Sequence, residues 1–130
     1  MKRVLTTIAL LTFVLGVSLY SIFKVKTMRE EMILYIEAVT AAAASGDSAT
    51  LERSVEELCA YWEGEERTLI HFVRHTHIDQ ITQNVSRLPA AAAYQNYSDL
   101  FADLASIRWQ VEHIWESELP TLDNILVCSL

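Results

Sequence analysis

From Val4 to Phe23 the chain reads VLTTIALLTFVLGVSLYSIF, twenty residues without a charge. Coiled as a helix at 1.5 Å per residue, the run spans about 30 Å, the thickness of one bilayer hydrocarbon core. Basic residues flank it on both sides: Lys2 and Arg3 before, Lys24, Lys26 and Arg29 after. Gly16-Val17-Ser18 supplies the small residues of a signal-cleavage site, but the apolar run continues through Leu19 to Phe23. No cysteine directly follows to make a lipoprotein site. The reading is an uncleaved single-span anchor, set against a cleaved signal and a buried soluble helix.

A chain of 130 residues has room for one domain besides this span. Its 52% hydrophobic content is high because the excess sits in the anchor. Beyond Arg29 there are 17 acidic residues against five arginines, a net charge of −12. Such a surface repels phosphate backbones and anionic headgroups, which argues against nucleic acid as a partner. Lysine and arginine are nearly balanced across the span and decide little about orientation. A short basic N-terminus favours staying inside, and long following domains translocate largely regardless of charge. The expectation is a single-pass membrane protein with its N-terminus inside and its acidic domain outside.

The remainder carries little glycine or proline, and its apolar residues recur at three and four, the period of amphipathic helices. The first helix is expected to run from the membrane through Met28, Met32, Tyr35, Ile36 and Val39 to Ala41–Ala44. Gly46 suits its C-terminus, and Asp47 or Ser48 can cap the next. Helix two is expected to reach Glu63 on the stripe Leu51, Val55, Leu58 and Trp62, with Gly64 as the hinge into helix three. Helix three carries Ile70, Ile78, Ile81, Val85 and Leu88 until Pro89 ends or kinks it. Helix four, capped by Ser98, carries Leu100, Leu104, Ile107, Val111, Ile114 and Trp115. Matched lengths and short connections favour an all-α, up-down four-helix bundle continuing from the anchor. The rival is one unbroken helix from Ser48 to Leu88. The division is an anchor over 1–26, a bundle over 27–118 and a short tail over 119–130.

An internal echo runs through this pattern at an offset of 49. Ala41–Ala44 matches Ala90–Ala93, Leu51 matches Leu100, Val55 matches Leu104, Leu58 matches Ile107 and Glu63 matches Glu112. Each half then reads as a helical hairpin, as in a duplicated two-helix unit.

Chemistry-bearing residues concentrate in TLIHFVRHTHIDQI, Thr68 to Ile81. On a continuous helix at about 100° per residue, His71, His75 and Asp79 form one ridge, while His77 points about 240° away from His71. A three-histidine metal site on one helix is thereby excluded. The ridge retains the spacing for a two-histidine site with Asp79 as third ligand or orienting partner. Ferritin-like sites need Glu-x-x-His on two helices, and none is present. The simpler reading is a His75–Asp79 pair at the helix surface, with His77 in the core.

Arg108 falls in the apolar stripe of helix four, where it would need a carboxylate from Glu63, Glu66 or Asp79. Glu112 lies on the same flank. Trp62 and Trp115 suit either the bundle core or the membrane interface. Cys59 and Cys128 are too few for a disulfide framework but form a candidate pair near the membrane end. Asn84-Val85-Ser86 and Asn96-Tyr97-Ser98 match the glycosylation pattern, which counts only in a eukaryotic secretory protein. No nucleophile with an evident base, no glycine-rich phosphate loop and no cofactor motif appears, so no enzyme activity is expected.

The order of these features resembles a known family. A tryptophan closing helix two (Trp62), a His-x-x-Ile-Asp step (His75, Ile78, Asp79), a Glu-His-Ile step (Glu112, His113, Ile114) and a terminal Asn124-Ile125-Leu126 are similar to the Firmicutes domain-of-unknown-function family numbered 4363. The resemblance covers almost the whole chain. It implies a small bacterial, membrane-anchored, all-helical protein and carries no activity. PAAAAYQNYSD departs from it where a lysine-rich, glycine-containing turn would stand. The functional expectation is a non-enzymatic interaction or structural module of the cell envelope, partnered by another membrane or envelope protein. The alternative is a metal- or ligand-sensing bundle using the His71–His75–Asp79 ridge.

Overall fold

Burial along the first helix changes abruptly. Every side chain through Tyr20 is exposed, and the first buried residue is Val25, followed by Met28, Met32, Ile36, Val39, Ala42 and Ala43. The computed structural model describes residues 1–71 and 73–118. Among them lie four helices and no strand: α1 (Lys2–Ser45), α2 (Ser48–Leu69), α3 (His75–Ala93) and α4 (Tyr97–Glu118). One helix of 44 residues therefore serves as both free-standing apolar rod and bundle member. The rod is long and apolar enough to cross a membrane, and only 6% of its most apolar window is buried. The described bundle does not cover it.

α1 packs against α2 and α4, and α3 packs against the same two. The result is a closed ring of antiparallel neighbours, the up-down bundle expected from short connections. The core stripes are Leu51, Val55, Leu58, Trp62 and Leu69 on α2, Ile78, Ile81, Val85 and Leu88 on α3, and Leu100, Leu104, Ile107, Val111 and Ile114 on α4. The echo at offset 49 lands on equivalent places. Both alanine tetrads close the helix that leads into a hairpin turn, and Leu51, Val55 and Leu58 are buried like Leu100, Leu104 and Ile107.

The structure redraws the expected boundaries. Gly64 is no hinge: α2 passes through it and ends at Leu69. Glycine inside a helix costs about 1 kcal/mol, whereas burying Leu69 in the core returns about 1.5–3 kcal/mol. The break falls instead at Ile70–Arg74, where no glycine or proline marks it, and this also removes the unbroken Ser48–Leu88 helix. Pro89 neither ends nor breaks α3, which continues to Ala93. Proline deprives the carbonyl four residues earlier of its helical donor. That carbonyl is Val85 O, and the Cys59 thiol of α2 reaches it at 3.8 Å. The tail over 119–130, with Cys128 and the Asn124-Ile125-Leu126 step, lies outside the described residues.

The turns are built by different chemistry. Gly46 adopts φ 77° after α1, and its N–H donates to Ala43 O at 3.4 Å. Asp47 caps α2 as expected, accepting from Ala49 N at 3.1 Å and Thr50 Oγ1 at 2.7 Å. Those bonds hold its carboxyl below the usual range, the Thr50 hydroxyl foremost. Ahead of α4 the capping side chain is Asn96 and not Ser98, accepting from Asp99 N at 3.3 Å. α3 closes in a Schellman arrangement, with Asn96 N–H on Ala91 O at 2.9 Å and Gln95 N–H on Ala92 O at 3.2 Å. Gln95 occupies the left-handed position, φ 53°, that glycine ordinarily fills. Gln95→Gly is accordingly expected to raise stability by about 0.5–1 kcal/mol. A higher urea midpoint for the full chain in detergent micelles, with an unchanged slope, checks it.

Candidate functional site

The histidine ridge does not form. α3 begins at His75, and His71 sits in the preceding turn, its N–H on Thr68 O at 3.3 Å. Helical spacing from His71 to His75 is lost with the break. His75 and Asp79 remain one turn apart on α3, both exposed, and the described residues join neither to a hydrogen bond or ion pair. His77 is not a core residue either. It is half-buried, and its ring meets that of His113 on α4 edge-on, with centroids 6.0 Å apart and planes at 66°. Among the described residues no three His, Cys, Asp or Glu side chains are grouped to hold a metal ion.

Arg108 is likewise displaced from its expected role. It turns outward, 48% exposed, and faces Glu112 of its own helix at 3.7 Å, not Glu63, Glu66 or Asp79. An exposed i,i+4 pair of this kind contributes about 0.3–0.5 kcal/mol. Glu63 is exposed. Glu66 instead accepts from Thr82 Oγ1 at 3.0 Å, and that hydroxyl accepts from Trp62 Nε1 at 3.0 Å. Trp62, 1% exposed, is thus the bundle core and not an interface belt. Trp115 lies beyond the described side chains. Cys59 stands ten residues before the end of α2, about 15 Å of helix, and so not near the membrane end. Burial foremost, then the neighbouring Glu63 and Glu56 carboxylates, push its thiol up.

Two polar clusters escaped the sequence reading. Asn84 is buried on α3, donating to Gln110 Oε1 at 2.9 Å and accepting from Arg87. Arg87 in turn faces Asp103 at 3.7 Å. These four residues tie α3 to α4, and they remove Asn84 from any glycosylation. Where the exposed rod enters the bundle, Lys24 Nζ meets Glu65 Oε1 at 3.0 Å, both largely buried. Above it Tyr35 and Tyr61 stack at 4.8 Å. The Tyr61 hydroxyl is buried and meets no acceptor in hydrogen-bond geometry, although Glu31 lies near enough to act on its proton. Burial foremost, then the Glu31 and Glu65 carboxylates, push its phenol far above the ordinary range, so it stays neutral. The sequence signal for both clusters was a polar residue within or beside an apolar stripe.

Beyond the rod, exposed large apolar side chains stand at Leu34 on α1, at Ile70 and Tyr94 in the turns, and as an aromatic pair on the outer face of α4. Phe101 is 42% exposed and Trp109 63%. Between them on that face stand Ala102, Ala105 and Ser106, with the exposed Arg108 at its edge. At about 100° per residue Phe101, Ala102, Ala105 and Trp109 fall within one arc of about 100°. Trp109 lies flat on His113, centroids 5.0 Å apart and planes at 8°. A cleft beside Trp109 is lined by Ala105, Ser106 and Gln110. Large exposed aromatics among small neutral residues are the composition of a protein contact.

A family model described as Domain of unknown function (DUF4363) matches residues 19–125. No curated protein matches, and no solved structure does.

Proposed function

The chain belongs to that DUF4363 family, and from this premise we propose that it is a membrane-anchored, non-enzymatic interaction module of the bacterial cell envelope. Its N-terminal rod is held in the cytoplasmic membrane as a single pass, and the acidic bundle stands outside the cytoplasm. The uncovered apolar stretch supports the anchor. A net charge of −12 beyond Arg29 keeps the bundle away from anionic headgroups and nucleic acid. The observation that carries the reading is the Phe101–Trp109 face of α4, exposed on a helix whose opposite side is fully packed. Its partner is another membrane or envelope protein, because the anchor confines encounters to the membrane plane.

A photo-crosslinking amino acid placed at Ala105 in native membranes tests this. One discrete adduct is expected, reduced at least about fivefold by Trp109→Ala, since aromatic anchors of an interface carry upwards of 1 kcal/mol each. The same label at Glu52 on α2 should give none. Equal labelling from both positions, or none from Ala105, would reject the reading. The His71–His75–Asp79 alternative gains no support, since the turn at Ile70–Arg74 separates His71 from the other two.

A further inference from the structure

We infer that His77 and His113 form a site for a late first-row transition-metal ion, bridging α3 and α4 beside Trp109. Imidazole nitrogen binds such ions at about 2.0–2.1 Å, which places the ion about 3.2 Å from the ring centre. Two rings sharing one ion then stand about 4.5 Å apart for a right-angled pair, about 5.2 Å for a tetrahedral one and about 6.4 Å for an opposed one. The observed 6.0 Å lies inside that range, so the two rings already stand at a separation that one ion can span.

Placement favours the pair over the other histidines. His77 and His113 project from two helices already locked together by the Asn84–Gln110 bond and the Arg87–Asp103 pair. Trp109 fixes the plane of the His113 ring, doing for orientation what a hydrogen-bonded neighbour does in many metal sites. His71 and His75 have no comparable support, one in the turn and the other at the first residue of α3. Nitrogen-only ligation selects copper, nickel and zinc over magnesium or calcium, with Cu2+ held most tightly. The acidity of the bundle raises the local concentration of any cation. No third His, Cys, Asp or Glu side chain is grouped with the two among the described residues. The remaining coordination positions are therefore open to water or to a donor from another molecule.

The test is titration of the full chain in detergent micelles at neutral pH with Cu2+, and in parallel with Ni2+. Tryptophan emission is the readout, because a paramagnetic ion on His113 sits against Trp109. Saturable quenching is expected, with most of its amplitude lost in Trp109→Phe. His77→Ala and His113→Ala should each weaken binding at least about tenfold, and His71→Ala and His75→Ala by less than about twofold. Electron paramagnetic resonance of the wild-type copper complex should show two imidazole nitrogens on the ion. Unsaturable quenching, a midpoint set by His71 or His75, or fewer than two imidazole nitrogens would each overturn the inference. The resonance result stands even if a histidine variant loses its fold.

Discussion

Trp62→Ala should cost the fold about 3–5 kcal/mol, the range for truncating a fully buried indole. The side chain is 1% exposed and belongs to the core between α2 and its neighbours. Its loss opens a cavity and also leaves the Thr82 hydroxyl without the donor now at 3.0 Å. Thr82 keeps its bond to Glu66, so the polar part of the penalty stays small beside the cavity. Trp62→Phe separates the two contributions: it retains most of the volume and should cost about 1–2 kcal/mol. Urea denaturation of the full chain in micelles, followed by helical circular dichroism, reads both. Equal costs for the two variants would show that the indole volume is not what α2 and α3 depend on.

The second large effect lies where the rod meets the bundle. Lys24→Met should destabilise by about 2–3 kcal/mol, because it strands a carboxylate that is only 13% exposed. Glu65 Oε2 already lacks a hydrogen-bond partner, so no second donor stands ready to take over from Lys24. Glu65→Met should be milder, about 1 kcal/mol, since the lysine stem is long enough to carry its ammonium to water. The double substitution is expected near wild type, as buried pairs replaced by apolar residues generally are. A double-mutant cycle checks the asymmetry. If Lys24→Met proved the milder of the two, the pair would be an exposed one of negligible worth.

The two tests bear on different features of the bundle. Trp62 reports on packing that any amphipathic four-helix arrangement needs. Lys24–Glu65 reports on a joint that sets where the exposed stretch of α1 stops and the buried stretch begins. Tyr61 and Tyr35 stack immediately above that joint, and the high barrier to ionising Tyr61 keeps a third charge out of it.

Periodicity carried the helices and the core stripes, because spacing of three and four can bury only one face of a helix, and short connections carried their antiparallel order. Length and absence of charge marked the rod, which the described bundle leaves exposed. The stops were less legible. Gly64 and Pro89 looked like breakers, yet each sits inside a helix that goes on to bury a core residue, Leu69 beyond the first and Ala92 beyond the second. The Ile70–Arg74 turn carries neither residue, so only the requirement that α2 and α3 lie side by side reveals it. That turn dissolves the His71–His75–Asp79 ridge, which was an angular argument on a helix that does not continue. Arg108 turned outward because it lies at the edge of the α4 core stripe, where its guanidinium reaches water. The meetings of His77 with His113, Asn84 with Gln110 and Lys24 with Glu65 join residues 26 to 41 positions apart. Spacing along one chain holds no information about such distances. The amino-acid order determined which faces had to be buried, and the packing of four helices decided which polar groups would meet.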